Sequence, residues 1–119
     1  MVDDGRPLFQ QIADSLEAQI LDGTMPVESQ VPSINELAAF HRINPATALK
    51  GVNMLVDAGM LYKRRGIGMF VATGARTSLL ASRRAQFQQS HIAPLVVRAK
   101  ALGITVAELN DMTAKEMDR

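Results

Sequence analysis

The sequence predicts a mainly α fold carrying one small β-hairpin, and three observations predict it. Apolar residues recur at helical spacing through most of the 119 residues. Polar cap residues mark several helix starts. One basic, glycine-bearing turn lies between two short apolar runs.

The elements follow in order. A first helix starts at Pro7, where a missing amide hydrogen is harmless. Phe9, Ile12, Ala13, Leu16 and Ile20 form its apolar stripe, and Asp22-Gly23 ends it with a glycine able to take a left-handed cap. Residues 24–32 hold Pro26 and Pro32 and read as a loop, with a short extended piece around Gln30-Val31. Ser33-Ile-Asn-Glu36 is a capping box: the serine accepts a first-turn amide while the glutamate reaches back. The short helix it opens turns Leu37 and Ala38 inward and stops near His41. Arg42-Ile43 is a tight connection. Asn44 then caps another helix with Pro45 at its first position. Ala48, Val52, Leu55 and Val56 are its buried stripe, and Asp57-Ala-Gly59 ends it.

Two helices joined by so short a turn must cross steeply, the helix-turn-helix arrangement. Ordinary helical proteins contain such pairs too. Met60-Leu-Tyr62 and Met69-Phe-Val71 are short strands flanking Lys63-Arg-Arg-Gly-Ile-Gly68, which makes a hairpin with two arginines near its tip. A plain surface hairpin would have the same pattern. Directly after a helix pair it reads as a wing, whose arginines can enter a minor groove or hold phosphates. Thr73-Gly74 marks a boundary. A winged helix-turn-helix domain is therefore expected over residues 1–74, and a short helical dimerisation tail over 75–119.

In the tail, Leu79, Leu80, Arg83, Phe87 and His91 fall on or near one helix face. Pro94 removes a backbone bond and crowds the preceding turn, so a kink or break is expected at 90–94. Leu95, Val96, Ala99 and Leu102 continue the apolar surface to Leu102-Gly103. Thr105-Val-Ala-Glu108 is a second capping box, opening a last helix with Val106, Leu109 and Met112 apolar. Residues from Lys115 onward should fray. Two helices of this size cannot bury their apolar faces on each other completely. The simplest cover is the same pair from a second chain, with Leu79, Leu80, Arg83, Phe87, Leu95 and Leu102 as the dimerisation residues. The alternative is that they fold back on the first domain as extra core.

Composition excludes several classes. Hydrophobic residues make up 47% of the chain, enough for a core, and only 4% is aromatic, so aliphatic residues must fill it. With no cysteine there are no disulfides or thiolate metal sites. The start, Met1-Val-Asp-Asp-Gly-Arg-Pro, lacks the pattern of a signal peptide, and Asp3-Asp4 reads as a flexible terminus. No apolar run approaches the roughly 20 residues of a membrane span, so a cytoplasmic protein with no membrane partner is expected. His41 falls at the end of a core-packed helix and reads as a partly buried structural residue. His91 has no ligand partner at metal spacing. No catalytic constellation stands out, so neither an enzyme nor a cofactor is expected. The seven methionines are scattered and read as core filler.

Net charge is only +1, but its distribution is uneven. From Phe40 to Gly66, Arg42, Lys50, Lys63, Arg64 and Arg65 oppose Asp57, a local +4; residues 1–39 carry Arg6 against seven acids, a local −6. Charge alone favours a solvated face. Beside a helix-turn-helix it becomes a modest phosphate-binding footprint.

Four runs carry a resemblance: Pro7-Leu-Phe-Gln-Gln-Ile-Ala-Asp14, Val31-Pro-Ser-Ile-Asn-Glu-Leu-Ala38, Ile43-Asn-Pro-Ala-Thr47 and Lys63-Arg-Arg-Gly-Ile-Gly-Met-Phe-Val71. In that order and spacing they resemble the GntR family of bacterial repressors, over roughly residues 7–72. The Ile-Asn-Pro-x-Thr helix start, the short tail and Ala99-Lys-Ala-Leu-Gly-Ile104 are similar to its YtrA subfamily. The resemblance implies a homodimeric transcriptional regulator that binds an inverted-repeat operator in double-stranded DNA, with a tail too short for a large metabolite-binding domain. Members of that subfamily often control transporter operons.

Carried over by position, Ser33 matches the family serine that caps the helix near phosphate. Asn35 stands where the family usually has an arginine. Arg42 stands where a glycine is common, and strains the turn if the backbone there is left-handed. Pro45 and Ala46 replace an Arg-Asn pair, leaving less hydrogen-bonding readout. Asn44, Ala46, Thr47 and Lys50 are expected on the exposed face of the recognition helix. Arg64, Arg65 and Gly66 match the wing tip. The alternative to DNA is a winged helix used for protein–protein contact. A small-molecule effector would sit between the tail helices near His91, Pro94 and Arg98, though no convergent polar cluster supports it there.

Overall fold

A computed structural model describes residues 5–119; Met1–Asp4, including the expected flexible Asp3-Asp4 terminus, lie outside the described residues. Helix α1 spans Leu8–Asp22. Pro7, expected as its first residue, is its cap instead, so the helix begins one position later, and Gly23 closes it at φ 85°. Ile12, Leu16 and Ile20 are each at most 1% exposed, and burying one such side chain stabilises by about 1.5–3 kcal/mol. Helices α2 (Ile34–His41) and α3 (Pro45–Asp57) follow. Leu37 and Ala38 of α2, and Ala48, Val52 and Leu55 of α3, complete one core with α1. Val56 is only partly buried against it.

Gly51 lets α1 and α3 touch backbone to backbone. A Cβ at Gly51 would stand 2.7 Å from the carbonyl oxygen of Phe9 and 2.9 Å from Ile12 Cβ. Strands β1 (Leu61–Arg64) and β2 (Gly68–Val71) form an antiparallel hairpin with Leu61 opposite Val71 and Arg64 opposite Gly68. Each is longer at the turn end than the apolar runs suggested, because pairing continues through the basic residues. The extended piece at Gln30-Val31 adds a third rung: Val31 N donates to Met69 O at 2.8 Å, and Val71 N to Ser29 O at 3.0 Å.

Helix α4 (Ala75–Phe87) starts in this same core. Ala75 and Leu79 belong to it, and Arg76 Nε donates to Leu21 O at 3.0 Å. The chain divides into two compact units after Leu80. In the second, α4 passes through a π-helical turn, Gln88–Ile92, into α5 (Ala93–Ala101). Of the kink or break expected at 90–94 there is no break: the helix is continuous and is locally widened at Gln88–Ile92. Ala93 N donates to Gln88 O, five residues back, and this widened turn leaves Pro94 at the start of α5, where a missing amide hydrogen is tolerated. Gly103 (φ 70°) turns the chain. Thr105 and Glu108 form the expected capping box for α6 (Val106–Met117). Rather than fraying from Lys115, α6 continues to Met117, with surface ion pairs Lys115–Asp111 and Arg119–Glu116.

Candidate nucleic-acid interface

The helix pair is fixed by its caps. Ser33 Oγ accepts Glu36 N at 3.1 Å, and Ser33 N donates to Glu36 Oε1 at 3.0 Å. That backbone bond holds the Glu36 carboxyl below its usual range. Between the helices Arg42 is left-handed, at φ 57° and ψ 50°. Ile43 N donates to Ala38 O at 3.0 Å, a Schellman-type closure that ends α2 and turns the chain within two residues. The strain foreseen for a non-glycine residue here is present. Asn44 Oδ1 then accepts Ala46 N at 2.8 Å, with Pro45 at the first helical position.

These caps set the phase of α3. Its buried side is Ala48, Gly51, Val52 and Leu55; its outward side is Ala46, Leu49, Lys50 and Asn53, all exposed. Thr47, expected fully outward, is half-buried. Lys50 Nζ lies 3.9 Å from the centroid of the Phe9 ring, a cation–π contact that draws the ammonium toward α1. Ser33, Asn35, Arg42 and Asn44 are all exposed.

At the wing, Ile67 N donates to Arg64 O at 2.9 Å. Gly66 at φ 76° supplies the positive angle that a type II turn needs at its third residue. Arg64, Arg65 and Gly66 are exposed, and the Arg64 guanidinium lies 4.9 Å from the centre of the Phe70 ring. Ile67, 56% exposed, stands beside the arginines. The base of the wing is tied by Glu28, whose carboxylate accepts the hydroxyls of Thr73 and Tyr62. These bonds, Thr73 first, hold the Glu28 carboxyl below its usual range, and the same contact raises the Tyr62 phenol.

Sequence reasoning missed Leu49, Asn53 and Ile67. Counting from the Asn44 cap would have found the first two, since positions 46, 49, 50 and 53 share a face at 3.6 residues per turn. Of the residues assigned to dimerisation, Leu79 is 6% exposed and sits in the core of the first unit. It packs within its own chain. Leu80, Arg83, Phe87, Leu95 and Leu102 are exposed. Within the second unit an apolar cleft of about 520 Å³ is lined by Phe87, Ile92, Leu95, Leu109, Met112 and Met117, with Thr113 and Glu116 as its polar members. His91, Pro94 and Arg98 are not among its lining residues. Burial holds the His41 imidazole below its usual value, and its ring meets Phe40 edge-on at 4.9 Å. His91 is exposed, 5.4 Å from the Phe87 ring. Among the described residues no group of acids and histidines is placed to hold a metal, and no helix is long and apolar enough to cross a membrane.

A capped helix pair followed by a basic hairpin defines a winged helix-turn-helix protein. The profile described as bacterial regulatory proteins, gntR family, matches residues 8–71, more than half of the chain, and the chain belongs to that family. It is a DNA-binding transcriptional regulator by family, and its relatives are regulators, not enzymes. It is 26% identical to the transcriptional repressor YtrA of Bacillus subtilis over 105 residues, which cover 88% of this chain and 80% of YtrA. A GntR-family structure from Bacteroides thetaiotaomicron superposes with a TM-score of 0.78 at 30% identity, covering 94% of this chain and 97% of that one. The DNA-binding domain of AraR, solved in complex with the operator ORX1, superposes with a TM-score of 0.56 at 28% identity, covering 60% of this chain and 87% of that one.

Proposed function

We propose that this chain is a cytoplasmic, sequence-specific repressor that binds an inverted-repeat operator as a homodimer. The observation that carries the reading is the outward face of α3, opened by Asn44 and Pro45, with Lys50 and Arg42 beside it and Arg65 exposed on the wing. The N-terminal end of α3 enters the major groove, where Ala46 and the accessible side of Thr47 meet base edges. Ser33, Arg42 and Lys50 hold phosphates, while Asn35 takes a weaker polar contact than an arginine would. Arg64, Arg65 and the Gly66 backbone lie along the minor groove or its phosphates. The winged domain over 1–74 does the reading, and the tail over 75–119 sets the separation of two half-sites.

The dimer is supported by the apolar surface of the second unit. Phe87 is 56% exposed, Val97 68%, Leu102 76% and Met112 50%. So much outward apolar surface on one small unit is characteristic of an interface; Arg83, Phe87, Leu95 and Leu102 of that unit are its proposed members, with Leu80 at the end of the first unit. The operator bound by the AraR domain supports duplex DNA as the partner.

The test is to incubate the full chain with sheared genomic DNA and sequence the recovered fragments. Enrichment of an inverted repeat with half-site centres about one helical turn apart, lost in Lys50→Ala and Arg65→Ala, is the expected result. A folded protein that enriches no sequence at any salt concentration would sink the reading. Sedimentation of the free protein at two chain masses, reduced to one by Leu102→Lys, tests the dimer separately.

A further inference from the structure

Leu49 is 45% exposed on the outward face of α3. The core does not call for it, since Ala48, Gly51, Val52 and Leu55 already form the buried side. A single exposed leucine is ordinary on a protein surface, so exposure alone decides nothing. Its neighbours give it meaning. Ala46 lies one turn earlier on the same face, about 5–6 Å away at Cβ. The Lys50 ammonium is drawn aside over Phe9. The middle of the reading face is therefore an apolar pair followed by one amide, Asn53, with cations at Arg42 and Lys50 flanking it.

A surface with cations at its edges and alkyl groups at its centre fits one feature of duplex DNA. The phosphates take the cations, and the apolar group that base edges expose in the major groove is the C5-methyl of thymine. An apolar protein partner would not call for flanking cations. Stacked bases lie about 3.4 Å apart along a strand, so side chains one helical turn apart reach neighbouring base pairs.

We infer that Leu49 is a specificity-determining residue that packs on a thymine methyl group in each half-site, with Ala46 against the adjacent base pair. This rests on the DNA-reading function proposed above. Deoxyuridine tests it, because uracil keeps every hydrogen-bonding group of thymine and lacks only the methyl.

The 119-residue chain is first used to select duplexes from a random-sequence pool. In the selected duplex each thymine is then replaced singly by deoxyuridine and Kd is measured. Wild type should lose about fourfold in affinity at one thymine per half-site, the worth of one buried methyl-sized group. Leu49→Ala, at an exposed position where alanine favours the helix, should bind the thymine duplex about as weakly as wild type binds the uracil one. It should also cease to distinguish the two at that position. Wild type indifferent to deoxyuridine at every thymine would overturn the inference and leave the DNA-reading function standing. So would a folded Leu49→Ala, checked by circular dichroism, that kept the thymine preference. Failure of wild type to select any duplex would overturn both.

Discussion

Lys50 Nζ of α3 lies 3.9 Å from the centre of the Phe9 ring of α1. The same contact holds an expected phosphate-binding cation and joins the two helices that cross at Gly51. At an exposed site such a pair contributes about 0.5–1 kcal/mol. A double-mutant cycle of Lys50→Ala and Phe9→Leu, read by urea denaturation, should give a coupling in that range. In DNA binding, Lys50→Ala should lower the slope of log affinity against log salt by about 1. A slope unchanged by that substitution would mean Lys50 stays on Phe9 and touches no phosphate.

Gly51→Ala should destabilise the protein although alanine is the better helix former. The helix-propensity gain is about 1 kcal/mol. Against it, the new methyl would stand 2.7 Å from Phe9 O and 2.9 Å from Ile12 Cβ. The first neighbour is backbone, and overpacking of this kind costs typically 1–3 kcal/mol. A melting temperature several degrees below wild type is the expected outcome. A higher one would show that α1 withdraws freely from α3.

The helix caps were legible because each rests on two or three residues near in sequence. Ser33 with Glu36, Asn44 with Pro45, and Thr105 with Glu108 all stand where spacing placed them. What a stripe of apolar residues cannot say is which surface it will meet. Leu79 shares a helix face with the tail residues, yet it is buried with Ala75 in the core of the first unit. Pro94 announced a disturbance, but whether a helix breaks or widens depends on whether the displaced bond finds another acceptor; here Ala93 N reaches Gln88 O. The pairing of residues 28–31 with β2 was only hinted at by Gln30-Val31, since it joins segments about forty positions apart. The reading face of α3 was half legible. Ala46 and Lys50 drew notice by their chemistry, whereas Leu49, outside the apolar stripe yet apolar, drew none until the buried side fixed the phase of the helix.

Arg42→Gly should separate stability from binding. Arg42 holds φ 57°, a conformation that costs a side-chain-bearing residue roughly 1–2 kcal/mol and glycine almost nothing. Part of that gain is offset by the greater freedom of glycine in the unfolded chain. The variant should therefore unfold at higher urea by about 1 kcal/mol while binding DNA more weakly, with a shallower salt slope. Lower stability would mean that the arginine side chain makes contacts that outweigh its backbone strain. Unchanged DNA affinity would remove Arg42 from the interface.

Glu28 should make the base of the wing sensitive to acid. Its carboxylate accepts from Thr73 and Tyr62, and both bonds favour the charged form, so its folded pKa lies below the ordinary value near 4.5. A carboxyl depressed on folding contributes stability that is fully present above its unfolded pKa and is lost as pH falls through the folded one. Wild type should therefore exceed Glu28→Gln in stability near neutral pH, and the gap should narrow as pH drops below about 4.5. The Glu36 and Glu108 carboxyls are lowered too, so the quantity to follow is the difference between the two proteins' urea midpoints at each pH. Glutamine keeps the side-chain length at this left-handed position, φ 66°, and removes the charge together with one of the two acceptors. A gap that stays constant down to pH 3 would show that the hydroxyl bonds of Glu28 do not favour its ionised form, and that the wing is held by the pairing of β2 with residues 28–31 instead.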